Sequence, residues 1–134
     1  MLNEINELIN LVQEYSKANY PNYKIYSILL YGGACKYHFG LKDSFGDYDL
    51  NLFLVSKQMQ EHISTRGFPK RIGKFREKKI EVMRNLIVKD NEQFDEQELI
   101  NFMKKQKSKR WHDNKRGILH NPALIVYPIS KKIF

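Results

Sequence analysis

Three short stretches of this chain carry the residue types that phosphate and metal chemistry require. They are Tyr31-Gly32-Gly33-Ala34-Cys35-Lys36, then Ser44-Phe45-Gly46-Asp47-Tyr48-Asp49-Leu50-Asn51, then Lys79-Ile80-Glu81-Val82-Met83. A strand that ends in Gly-Gly and opens a helix allows close approach to the backbone and aims free N–H groups outward, which is what a phosphate needs. Asp47 and Asp49 stand at i and i+2, so on a strand they would project from one face about 7 Å apart, within joint reach of a pair of divalent cations. Glu81, between the apolar Ile80 and Val82, supplies a third carboxylate if its strand lies alongside, with Glu77 as the competing register. Three acids around two Mg²⁺ ions about 3.5–4 Å apart, or Mn²⁺ in their place, can activate a hydroxyl and stabilise a leaving pyrophosphate.

These residues need elements to hold them, and the hydrophobic spacing supplies those. Leu2, Ile5, Leu8, Ile9, Val12 and Tyr15 recur at helical intervals, predicting an amphipathic helix to about Lys17 that ends at Asn19-Tyr20-Pro21-Asn22. Ile25 to Tyr31 reads as a strand running into the glycine turn, followed by a short helix and the polar loop Leu41-Lys42-Asp43-Ser44. From Asp47 to Val55 the chain alternates, with Tyr48, Leu50, Leu52 and Leu54 on a greasy face and the two acids opening the other. A short helix is predicted over Gln58–Thr65. Strands follow over Arg71–Phe75 and Lys79–Val88, joined as a hairpin by the charged turn Arg76-Glu77-Lys78. Asp95 with Glu98 forms a capping box and Phe94 with Leu99 a hydrophobic staple, so a helix starts near Glu96 and runs to about Lys109; Ala123–Tyr127 is a last strand. The alternation predicts an α+β (or α/β) class, a mixed twisted sheet of four to five strands packed by helices.

Length and composition narrow the classes. The 134 residues suffice for one hydrophobic core, so residues 1–134 read as one domain. With 42% hydrophobic residues the chain can offset its ordering entropy, which excludes long disorder, and the single cysteine, Cys35, excludes a disulfide scaffold. No apolar run approaches a bilayer span, and acids interrupt the first residues where a signal peptide would be basic and apolar, so a cytoplasmic location with no membrane partner is expected. A net charge of +8 favours an anionic partner.

The ordered set resembles the DNA polymerase β-like nucleotidyltransferase superfamily in its small, minimal-nucleotidyltransferase form. That family places Gly-Gly or Gly-Ser at a strand-to-helix turn, Asp-x-Asp on the next strand and a later acid on a neighbouring strand. Gly32-Gly33, Asp47 with Asp49, and Glu81 match in that order, and the likeness covers about residues 25 to 88. It implies transfer of a nucleoside monophosphate from an NTP to a hydroxyl acceptor, with Mg²⁺ and release of pyrophosphate. It further implies that Asp47 and Asp49 bridge both ions, that Glu81 holds the catalytic one and that Gly32 and Gly33 cradle the phosphates. Ala34 departs from the pattern, since it offers no hydroxyl to the phosphates, and Glu81 stands where Asp is commoner.

Lys36, Ser44 and Lys74 complete the expected nucleotide-binding residues. The basic residues around Glu81 and those from Lys104 to Arg116, with Phe75, Trp111 and Tyr127 among them, suit an NTP or a polyanionic acceptor, although such runs are ordinarily solvated faces. His38, His62, His112 and His120 stand at no metal-ligand spacing with Cys35, so zinc is not expected. Alone, Asp-x-Asp is ordinarily a solvated cap and Gly-Gly a tight turn; the combination carries the reading. The acceptor is open among nucleic acid, a partner protein and a small molecule, and so small a chain would draw on an oligomer or hetero-complex for acceptor choice. The competing reading is a catalytically inactive module on the same fold, binding nucleic acid or an acidic partner through its charge.

Overall fold

One strand of the sheet is buried almost along its whole length, with Ser27 as the one polar side chain in its buried stretch, and that hydroxyl donates to the Tyr127 carbonyl (2.9 Å). In the computed structural model, which describes residues 2–56, 65–87, 93–105 and 123–128, strand β1 (Tyr23–Tyr31) is buried from Ile25 through Tyr31. Strand β2 (Tyr48–Ser56) lies antiparallel on one side of it, and β5 (Leu124–Tyr127) antiparallel on the other. A strand covered on both faces cannot alternate polar and apolar residues, which is why Ile25–Tyr31 is apolar on both sides apart from the hydrogen-bonded Ser27. Strand β4 (Lys78–Ile87) pairs parallel with β2, and β3 (Arg71–Phe75) pairs antiparallel with β4. The result is an α+β architecture with a five-stranded mixed sheet in the order β3-β4-β2-β1-β5.

Helices cover both faces. Helix α1 (Leu2–Asn19) buries Ile5, Leu8, Ile9 and Val12, the residues its periodicity selected, against Ile28, Leu30, Leu50, Leu52 and Leu54. Helix α2 (Gly32–His38) adds Ala34 and Cys35 to the same core. On the other face, helix α3 (Glu96–Lys105) packs Leu99 and Phe102 with Tyr26, Leu29, Phe53 and Val55. Each apolar side chain so buried contributes roughly 1.5–3 kcal/mol. Burial on two faces, more than local propensity, therefore sets the sheet. No described helix is long and apolar enough to cross a membrane.

Several boundaries differ from expectation for identifiable reasons. The hairpin turn is only two residues, Arg76 and Glu77, both at positive φ (48° and 68°), so Lys78 joins β4. Non-glycine residues pay a steric penalty there; Arg76 offsets part of it through its ion pair with Glu7 of α1 (3.0 Å) and its place over the Phe75 ring. Asp95 caps α3 as predicted, its Oδ1 accepting from the N–H groups of Gln97 (2.9 Å) and Glu98 (3.3 Å). The reciprocal half of the box is replaced: the Asp95 N–H donates to the Tyr26 hydroxyl (2.9 Å), which donates to Glu98 Oε1 (2.5 Å). A tertiary contact thus takes the partner that sequence logic assigned locally. Tyr26→Phe removes it and leaves the Asp95 N–H short of an acceptor, an expected cost of about 1–2 kcal/mol by urea denaturation with the fold retained.

The helix predicted over Gln58–Thr65 lies outside the described residues except for Thr65, which opens a 3₁₀ turn (Thr65–Gly67). His62, His112, His120, Trp111, the basic residues from Lys107 to Arg116 and the expected end of α3 near Lys109 also lie outside them.

Candidate functional site

The pairing register brings distant residues into one row. Tyr31 at the end of β1 pairs with Asp49 of β2, Asp49 pairs with Glu81 of β4, and Glu81 pairs with Arg71 of β3. Residues paired across adjacent strands point to the same face, at a strand spacing of about 4.8 Å. Asp49 and Glu81, which are 32 positions apart in the chain, are therefore immediate neighbours on the face that α3 shares. Glu77 sits in the hairpin turn, exposed. Asp47 precedes β2 instead of beginning it, half-buried, because the regular pairing with β4 starts at Tyr48 and Ile80.

The glycine turn approaches this row from the end of β1. Helix α2 begins at Gly32 itself, whose φ of +67° is open to glycine at no steric cost. A Cβ at Gly32 would overlap Oδ2 of Asp49 and lie 3.2 Å from its Cγ. Gly33 faces elsewhere: a Cβ there would meet Cβ of Phe45 at 3.4 Å and Nζ of Lys42 at 3.8 Å. One glycine thus leaves room for the Asp49 carboxylate, and the next brings the helix start close to a lysine tip and the Cβ of Phe45. Phe45 is flanked by the Tyr37 ring (5.1 Å between centroids) and by Lys78 Nζ, 4.5 Å from its centroid.

Asn51, two residues beyond Asp49 on the same face, is fully buried; its Oδ1 accepts from Asn85 of β4, and its Nδ2 makes no hydrogen bond among the described residues. An open groove of about 430 Å³ lies against this end of the sheet, lined by Tyr31, Lys70, Arg71, Glu81, Met83 and Arg84 among others. A smaller cavity of about 230 Å³ lies at the opposite end of β1, beside Ser16, Tyr23 and Lys24, with no carboxylate in its lining.

The expected nucleotide-binding residues are less gathered than the acids. Lys36 is half-buried on α2, and Ser44 is exposed in the loop before β2. Lys74 is exposed and pairs with Lys79, because a register shift at Gly73 (φ +59°) separates it from Arg71. The cation set against Glu81 is Arg71, whose Nη2 lies 3.7 Å from Glu81 Oε1. In the sequence Arg71 is one of several basic residues around Glu81, and Lys42 is one residue of a polar loop. Neither stands out for phosphate binding, since a single basic residue in a strand or loop carries no periodic signal. Only the register and the turn geometry select them.

The fit to a divalent cation can be weighed on these contacts. Carboxylate oxygens are the ligands a hard cation takes, and the missing Cβ of Gly32 lets the Asp49 carboxylate sit against the glycine turn. Among the described residues no three His, Cys, Asp or Glu side chains are already drawn together as a metal cage. The donor set suits Mg²⁺, and Asp47 and Glu81 would have to turn towards Asp49 to complete it.

Behind the turn, Cys35 is fully buried, and burial pushes its thiol up to about 12. A folded-state value above the unfolded one means that its contribution to stability is complete below about pH 9 and declines as pH rises above that. Cys35 is expected to resist a disulfide reagent at pH 8 in the native chain and to react fully in denaturant. Rapid native labelling would contradict that burial.

No family model, no curated protein and no solved structure matches this chain.

Proposed function

We propose that this chain is a small nucleotidyltransferase of the DNA polymerase β-like kind, moving a nucleoside monophosphate from an NTP to a hydroxyl acceptor with release of pyrophosphate. The observation that carries the reading is the row Tyr31, Asp49, Glu81, with Gly32 held against the Asp49 carboxylate. Asp47, Asp49 and Glu81 would hold two Mg²⁺ or Mn²⁺ ions, which supply Lewis-acid stabilisation of the transferring phosphoryl group and its leaving group. The backbone at Gly32 and Gly33 receives the phosphates, helped by Lys42 beside Gly33. Lys36, Ser44 and Lys74 are further candidates around it. Glu81 lies at the groove wall, where it can accept the proton of an acceptor hydroxyl.

The test is incubation with each α-labelled NTP and Mg²⁺, reading label transfer and pyrophosphate, with RNA, protein and small-molecule acceptors in turn. Transfer that chelation abolishes supports the reading, and no transfer with any NTP or acceptor refutes it. The Arg71–Glu81 ion pair favours a second reading, in which the third acid is permanently neutralised and the basic groove only binds a polyanion. That reading predicts RNA or DNA binding that weakens steeply with salt and is indifferent to Asp49→Asn.

A further inference from the structure

Among the described residues, Arg71 is the one cation lining the groove whose head group is paired with an acid. Arg84 Nη1 donates to the carbonyls of Thr65 (3.0 Å) and Phe68, so its guanidinium is committed to the 3₁₀ turn. Lys70 is an exposed lining residue whose backbone carbonyl accepts from Val82 N–H (2.7 Å), which fixes its main chain at the groove. Arg71 is 68% exposed and reaches Glu81 at 3.7 Å, beyond hydrogen-bond distance, with the carboxyl side chain itself 39% exposed. An exposed pair at that separation is weak and readily exchanged. A guanidinium prefers the paired oxygens of a phosphate, which it can grip at two points.

We propose that Arg71 is an exchangeable cover on Glu81: it pairs with the carboxylate in the free chain and turns to a polyphosphate entering the groove, releasing Glu81 for a cation. The inference rests on the nucleotidyltransferase reading above and adds to it an order of events. A cation is held poorly until a polyphosphate is present, so the acids are not loaded idly. Arg71 is here a positioning residue, acting through Glu81, and its backbone place opposite Glu81 gives it that reach.

The two roles of Arg71 have opposite signs, which makes them separable. Manganese binding to the chain without nucleotide, read by electron paramagnetic resonance, should tighten about three- to fivefold in Arg71→Gln, because the competing pair is gone. Lys70→Gln removes the same charge from the same groove without touching Glu81 and should change it less than about twofold. Inorganic tripolyphosphate binding in EDTA, read by calorimetry, should weaken about tenfold in Arg71→Gln. Unchanged manganese affinity in Arg71→Gln, equal tightening in Lys70→Gln, or unchanged tripolyphosphate binding would each overturn the exchange while leaving the metal site standing. Absence of manganese binding in all three proteins would overturn the exchange and the nucleotidyltransferase reading together.

Discussion

Asp49→Asn is expected to lower NTP turnover by on the order of a hundredfold or more, with the thermal midpoint kept within a few degrees. The substitution is nearly isosteric, and Asp49 is half-buried at the start of β2, so packing is preserved. What is lost is one charged oxygen donor at the centre of the row, next to both Glu81 and the end of β1. Asp47→Asn should act in the same direction. Steady-state turnover beside a thermal melt separates chemistry from folding. Turnover in Asp49→Asn within a few-fold of wild type would remove the residue from the reaction and favour the polyanion-binding reading.

Gly32→Ala is expected to damage both stability and turnover, and three glycines allow the causes to be told apart. At Gly32 an added methyl group meets a positive φ and the Asp49 carboxylate together. Strain and overpacking at one position should cost about 2–4 kcal/mol and lower the midpoint by on the order of 10 °C. Gly40 has a positive φ with nothing within 4 Å, so Gly40→Ala should cost only the strain, about 1–2 kcal/mol, and leave turnover intact. Gly46 has neither feature, and Gly46→Ala should be neutral or slightly stabilising. Comparable losses at Gly32 and Gly40 would mean that the approach of the turn to Asp49 has no consequence.

The competing reading is discriminated by the same proteins. If the groove serves only to hold a polyanion, affinity should follow Lys70 and Arg71 and fall with salt, while Gly32→Ala and Asp49→Asn matter only through stability. If phosphoryl chemistry occurs there, those two substitutions should separate from the charge substitutions in turnover while binding changes little.

Much of the local structure was legible in the chain itself. The spacing of Ile5, Leu8, Ile9 and Val12 specified α1 and its buried stripe, and the β-rich run Ile25–Tyr31 specified a strand leading into the glycine turn. Asp95 announced the start of α3, and the turn at Arg76 and Glu77 announced the hairpin. These features rest on interactions within a few residues, which the order of side chains determines directly. Tertiary structure decided the rest: that Asp49 and Glu81 share a register, that Arg71 and not Lys74 stands opposite Glu81, that Tyr26 takes over half of the α3 cap, and that Lys42 comes to rest beside Gly33. Each depends on how strands distant in the chain are aligned, and a shift of one residue would turn every side chain to the other face. That alignment is set by the burial of two opposing cores at once, a property of the packed sheet that no single stretch of sequence contains.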